Sequence, residues 1–176
     1  MGDFKKLSVF DFDGTLINTP LPVEGKKEYK EKTGEDWPHA GWWGQPMSLD
    51  SEIFDIDIIP SVIKAYLKEI NDPNTMVVMV TGRITKLSDF VKKILDDNGL
   101  KFHEYHFNNG GSTESAKKKT FDKILSENPS ITEISIYDDR FEHISIFKQW
   151  GENQVESDRL ESFKIFQIVN GQPTLV

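Results

Sequence analysis

The chain has 176 residues, a net charge of −8 and no cysteine. That length suits one domain with room for a small insertion. The missing cysteines exclude disulfides and thiolate catalysis, and the acidity argues against a broad nucleic-acid-coating face, whose affinity rests on many phosphate contacts, while leaving room for local contact with one phosphate group.

No stretch approaches the ~18 apolar residues of a membrane span. The segment Met1 to Lys6 has no apolar core of a signal peptide, and Lys6 stands where an N-myristoylation pattern wants Ser or Thr. The expectation is a cytoplasmic protein.

Leu7 to Phe12 is nearly continuous apolar sequence, the mark of a strand buried on both faces. Met76 to Val80 is a second such run, Phe102 to Phe107 a weaker third, Ile134 to Tyr137 a fourth and Phe163 to Val169 a fifth. Helical patterns lie between them. One opens at Pro60 and runs to Ile70, where Pro suits the first turn. Leu87 to Asn98 ends at Gly99, Thr113 to Glu127 stops before Pro129, and Arg140 to Trp150 stops at Gly151. Strands alternating with helices predict a three-layered α/β fold around a mostly parallel sheet. The stretch from Ile17 to Ile59 holds four prolines and "WPHAGWWGQP", too long for a plain connection. It reads as an insertion, residues 18–59, with some helix around Lys26 to Lys32. It is expected to hang over the carboxyl end of the first strand, within a single domain spanning 1–176.

Ligands of open parallel sheets sit outside the carboxyl ends of the strands. Here the first strand ends in Asp11-Phe12-Asp13-Gly14-Thr15, the second in Thr81-Gly82-Arg83 and the fourth in Asp138-Asp139-Arg140. The third leads through Asn108-Asn109-Gly110-Gly111 into a helix carrying Lys117. Phe121, Ile124 and Leu125 define that helix's buried stripe. Lys117 precedes them by four, seven and eight residues and so lies on it, with Lys118 intermediate and Lys119 on the solvated side. Four carboxylates cannot share a small site unneutralised. One lysine and a divalent cation with oxygen ligands balance them, and Mg²⁺ suits one or two carboxylates plus a phosphate oxygen. The Thr81 hydroxyl and the backbone amides around Gly14 and Gly82 can then hold a phosphoryl group.

"DFDGTL", "VTGR", an inward lysine and "YDDR", in that order, resemble the four motifs of the haloacid-dehalogenase (HAD) superfamily of phosphohydrolases. The resemblance runs from Leu7 to at least Trp150. It implies a Rossmann-like sheet of five parallel strands in the order 5-4-1-2-3. "DGTLINTPLP", "GWW", Ser48-Leu49 and "YDDRFEH" narrow the likeness to the HAD domain called Swiss Army Knife RNA repair-like. "DDR" is also similar to the 3′-phosphatase domain of phage polynucleotide kinases.

The resemblance implies Asp11 as nucleophile, forming an aspartyl-phosphate, and Asp13 as the acid that protonates the leaving oxygen and then activates water. It implies Thr81 on the phosphoryl oxygens, with Lys117 neutralising nucleophile and phosphate. Mg²⁺ falls to Asp139, Asp11 and the Asp13 backbone carbonyl, while Asp138 pairs with Lys117 or exchanges roles with Asp139.

Arg83 and Arg140 either clamp a substrate phosphate or pair with surface acids. Trp42 and Trp43 either stack a base or pin the insertion to the core. His143 reads as a supporting or core residue. The function expected is Mg²⁺-dependent phosphate monoester hydrolysis at a nucleic-acid 3′ end, RNA or DNA. The alternative is a nucleotide or other small phosphate ester, with the insertion a lid. The non-enzyme alternatives are a catalytically silent HAD-like scaffold, against which every catalytic position looks intact, and a receiver-like phospho-binding module, which would put its acceptor Asp after the third strand, where Asn108-Asn109-Gly110 stands here.

Overall fold

The strand β1 (Lys6–Phe10) divides the core. Leu7 and Val9 point to one side and join one apolar cluster, while Phe10 points to the other and joins a second. β1 pairs in parallel with β4 (Thr75–Ile84) on one flank and with β6 (Glu133–Asp138) on the other, so it is the centre of the sheet. The protein is described from a computed structural model over residues 3–176. Met1 and Gly2, part of the segment read against a signal peptide or lipid anchor, lie outside the described residues.

The main sheet runs β5-β4-β1-β6-β7-β8, with β5 spanning Glu104–Asn108, β7 Ser162–Val169 and β8 Gln172–Leu175. The five expected strands are all parallel and lie in the expected order. The sheet nevertheless has six strands, because β8 adds antiparallel to β7 at the edge. The connection is a two-residue turn, Asn170-Gly171, whose φ angles of +49° and +74° suit the tight hairpin favoured by strand twist.

Helices cover both faces. α4 (Thr113–Glu127) and α5 (Phe141–Glu156) set Phe121, Ile124, Phe147 and Trp150 against Leu7, Val9, Val78 and Ile136. On the other face, α2 (Pro60–Ile70) and α3 (Ser88–Asp97) set Val62, Tyr66, Val91 and Leu95 against Phe10, Val77, Met79 and Tyr137. Each such side chain contributes ~1.5–3 kcal/mol on burial. The helix α5 does not stop at Gly151 as its composition suggests but continues to Glu156. A Cβ on Gly151 would lie 2.6 Å from the Phe163 ring, so this glycine lets α5 approach β7 closely and does not end the helix.

Two strand ends also differ from the apolar runs. β1 ends at Phe10, freeing Asp11 to turn toward the sheet's edge. β4 continues beyond Val80 through Thr81-Gly82-Arg83 to Ile84, with its pairing to β5 irregular between Val80 and Ile84.

The stretch after β1 is closed by a short antiparallel stem, β2 (Ile17–Asn18) with β3 (Asp57–Ile58). Between them lie α1 (Pro22–Thr33), which is longer than the helix read from the lysines, and a 3-10 turn over Pro46–Leu49. Tyr29, Trp42 and Phe54 form a separate apolar cluster here. The Trp42 indole donates to the Pro20 carbonyl (3.2 Å) and its ring lies where a Cβ on Gly25 would reach, 2.1 Å away. Trp42 therefore pins the segment together. Among the described residues no helix is long and apolar enough to cross a membrane.

Candidate active site

Strand ends bring most of the predicted residues to one cavity; Thr81 and Asp138 are buried and do not line it. Asp11 and Asp13 follow β1, Arg83 lies near the end of β4, Asp138 and Asp139 end and follow β6, and α4 presents Lys117. A cavity of about 980 Å³ opens where they meet, lined by Asp11, Asp13, Arg83, Lys117, Asp139 and Arg140 among others.

Lys117 is 3% exposed and sits between two carboxylates, its Nζ donating to Asp11 Oδ1 (2.8 Å) and Asp138 Oδ2 (2.6 Å). Burial opposes its charge, but Asp11 and Asp138 outweigh that and hold it protonated above its ordinary range. Asp138 is further fixed by the Arg140 backbone N–H (2.9 Å to Oδ1) and lies 3.2 Å from His143 Nδ1. Burial alone would raise Asp138, yet Lys117 and His143 together bring it down to about 2. Burial pushes Asp11 up to about 6, against the pull of Lys117. Asp139 is pushed up to about 8, first by burial and then by the charges of Asp11 and Asp138.

These shifts describe a site with too few positive charges. Asp11, Asp138 and Asp139 each offer a carboxylate oxygen within 4.8 Å of the others, and one lysine serves them. A hard, all-oxygen donor set of this kind fits a divalent cation such as Mg²⁺, Mn²⁺ or Ca²⁺. A cation bound there would bring positive charge that favours the ionised form of Asp139. The Asp13 carboxylate is not in this cluster.

Asp13 is held elsewhere. Arg83 grips it with Nε (3.0 Å to Oδ2) and Nη2 (2.8 Å to Oδ1), and Thr19 Oγ1 donates to Oδ1 (2.7 Å). The remaining Arg83 nitrogen, Nη1, donates to the Trp43 carbonyl (2.8 Å) and to Ser48 Oγ (2.7 Å). Arg83 is 1% exposed. The acid that Arg83 meets is the site's own Asp13 and not a surface carboxylate: its planar fork ties Asp13 to the 18–59 segment. So held, Asp13 accepts hydrogen bonds. Delivering a proton requires it to leave the fork.

Thr81 is buried, and its hydroxyl accepts the Arg83 backbone N–H (3.1 Å). Gly14 and Gly82 line the cavity. Gly14 has φ +69°, and a Cβ there would lie 2.3 Å from Asp139 Oδ2. A Cβ on Gly82 would meet Thr113 at 2.7 Å. Arg140 keeps 39% of its side chain exposed, 3.7 Å from Glu142. Its guanidinium carbon lies 5.4 Å from the Trp43 ring, and that of Arg83 lies 4.9 Å away. The two tryptophans thus divide: Trp42 is the pin, and Trp43 lines the cavity.

Thr19, Ser48 and the β7–β8 turn also belong to this site, beyond the residues predicted for it. Thr19 and Ser48 carry no periodic signal, because they act through an irregular segment. The turn was legible, since Asn-Gly between two alternating runs is a hairpin signal.

A family model described as HAD domain family 1 in Swiss Army Knife RNA repair proteins matches residues 30–176. The motif bearing Asp11 and Asp13 lies before the matched residues. An uncharacterized protein of Saccharomyces cerevisiae, YMR265C, is 27% identical over 172 residues covering 82% of this chain; the match spans only 36% of that protein's length. Among solved structures, a haloacid dehalogenase-like hydrolase of Streptococcus pneumoniae superposes with a TM-score of 0.52 at 12% identity, covering 93% of this chain and 94% of that one. The HAD domain of the Legionella pneumophila effector Lem4 gives 0.49 at 14% identity, over 95% and 88% of the two chains.

Proposed function

This chain belongs to HAD domain family 1 in Swiss Army Knife RNA repair proteins, and from that premise we propose that it is a Mg²⁺-dependent phosphatase that removes phosphate from nucleic-acid 3′ ends. The single observation that carries the chemistry is the buried Asp11–Lys117–Asp138 bridge with Asp139 beside it. The substrate reading is supported by the RNA repair proteins in which the family occurs and by a cavity much larger than a phosphate group needs.

Asp11 acts as the nucleophile. Its carboxylate attacks phosphorus in line with the leaving oxygen, so the Asp11 O–P bond forms as the P–O ester bond breaks. Asp13, released from Arg83 and protonated from solvent, gives that proton to the leaving oxygen. It then takes a proton from the water that attacks phosphorus, and the Asp11 O–P bond breaks to release phosphate. Lys117 opposes the charge on Asp11 and on the phosphoryl oxygens throughout. Thr81 and the amides around Gly14 and Gly82 receive the phosphoryl oxygens. Asp11 and Asp139, with the Asp13 backbone carbonyl, would hold the Mg²⁺, and Asp138 keeps Lys117 in place. When bound there, the cation supplies the positive charge that aligns and neutralises the phosphoryl group. Residues 18–59 serve as a small cap, coupled to the chemistry through Ser48, Trp43 and Arg83.

The test is phosphate release, with Mg²⁺, from 3′-phosphorylated RNA and DNA, their 5′-phosphorylated counterparts and an aryl phosphate, with Asp11→Asn as control. Preference for the 3′ ends, abolished in the control, supports the reading. Faster release from the 5′-phosphates or the aryl ester overturns the substrate assignment.

A further inference from the structure

The cavity has two unlike walls. One carries the acids, Lys117, Arg83 and Arg140. The other comes from the β2–β3 stem, the start of α2 and the β7–β8 turn, and its polar side chains are Asn18, Ser61, Asn170 and Gln172. The turn adjoins the start of α2, since a Cβ on Gly171 would lie 3.6 Å from Ile59 Cγ2. Around the amides stand Leu21 and Ile168 with the Ile58-Ile59 pair, so this wall is apolar with neutral hydrogen-bonding groups set in it. Asn18, Asn170 and Gln172 are exposed.

The cations near this wall are mostly committed. Lys117 is buried between Asp11 and Asp138, and Arg83 is 1% exposed, with Nη1 held by Trp43 and Ser48 and its other two nitrogens on Asp13, so neither presents a cation to a passing strand even when Asp13 moves to the leaving oxygen. Arg140 is the lining cation that keeps substantial solvent access. A strand tracked along its backbone needs a row of cations. This cavity offers an apolar surface, amide donors and acceptors, and one exposed guanidinium. Those groups suit the planar, edge-polar shape of one nucleoside.

Resting on the 3′-end reading above, we propose that the neutral wall holds the single terminal nucleoside that bears the 3′-phosphate. Asn18, Asn170 and Gln172 bond its base and sugar edges, and Arg140 meets at most one further phosphate. The enzyme therefore reads one nucleotide and not a length of strand.

The experiment compares kcat/KM, with Mg²⁺, for uridine 3′-monophosphate, a decaribonucleotide ending in the same 3′-phosphate, and an aryl phosphate, at 50 and 200 mM salt. The proposal expects the mononucleotide and decamer to agree within about threefold, because each lost phosphate contact is worth little when Arg140 is the one contact available. It expects the decamer rate to fall no more than about threefold across that salt range, for one contact on a single strand. Gln172→Ala should lower the preference for uridine 3′-monophosphate over the aryl ester about two- to tenfold, the effect of one hydrogen bond. A decamer favoured more than tenfold, with a fall of several hundredfold in salt as about six contacts would give, overturns the inference and leaves the 3′-end reading standing. An unchanged preference in Gln172→Ala overturns the assignment of this wall. Release from the aryl ester but from neither 3′-phosphate overturns the 3′-end reading itself, and the inference with it.

Discussion

Replacing Gly14 with alanine separates the catalytic account from fold stability. A Cβ at this position would lie 2.3 Å from Asp139 Oδ2, where ordinary contact begins at 3.4 Å. The Asp139 carboxylate must therefore retreat by about 1 Å, since the backbone at Gly14 is fixed by its N–H to the Ile17 carbonyl (2.8 Å). The left-handed φ of +69° adds strain of ~1–2 kcal/mol for any residue with a Cβ. On stability the change is thus modest. On function it is larger, because a 1 Å misplacement costs about 10²-fold, and disturbing a metal site's supporting shell costs about 10- to 100-fold in affinity. Phosphate release titrated with Mg²⁺, beside urea unfolding in EDTA, measures both. The account expects at least about tenfold more Mg²⁺ for half-saturation, a kcat down about 10²-fold and unfolding weakened by no more than ~2 kcal/mol. Unchanged Mg²⁺ dependence in a folded Gly14→Ala protein would refute the placement of Asp139 at the cation.

Lys117→Met leaves Asp11 and Asp138 buried without their shared cation, so unfolding in EDTA should weaken by ~3–5 kcal/mol. Phosphate release should fall at least about 10²–10³-fold, and a variant of full stability would show that the bridge is not what balances the acids. In metal-free protein, Asp139 and Asp11 keep their protons to about pH 8 and about pH 6 when folded, against 3.8 as the ordinary value. The folded chain then binds more protons than the unfolded one, so stability should fall as pH rises from about 4 to 8. Mg²⁺ should abolish that fall, and an equal decline with and without it, read by denaturant unfolding at pH 5 and 8, would contradict the site's charge balance. Gly151→Ala drives a methyl into the Phe163 ring and should lower stability by ~1–3 kcal/mol while leaving kcat unchanged. A loss of kcat at temperatures where it remains folded would mean that α5 packing reaches the site.

What the sequence disclosed followed from how each signal arises. The buried strands were legible because Leu7 to Phe10, Met76 to Val80 and Ile134 to Tyr137 are apolar on both faces. Lys117 was legible because its spacing from Phe121, Ile124 and Leu125 admits one helix face, and the helix Thr113–Glu127 was placed at its observed bounds. Gly151 misled because glycine has two uses, ending a helix or admitting a close neighbour, and the sequence does not show the Phe163 ring that decides between them. The role of Arg83 was not legible for a related reason. Its partners Asp13, Trp43 and Ser48 lie 70, 40 and 35 residues away in sequence, and an arginine suits a phosphate and a carboxylate equally. For the adjacent acids Asp138 and Asp139, the resemblance sets Asp138 against Lys117 but leaves an exchange open, and contact supplies the rest: Asp138 faces Lys117 and the Arg140 amide, whereas Asp139 packs against Gly14.

The most direct test of the central claim is whether phosphate becomes attached to Asp11 during turnover. The protein is acid-quenched during Mg²⁺-supported turnover of a 3′-phosphorylated oligonucleotide, and the peptide carrying residues 8–20 is read by mass spectrometry. The account predicts a phosphorylated Asp11 that is absent from Asp11→Asn. Phosphate released with no adduct at Asp11, or an adduct on another residue, would contradict it.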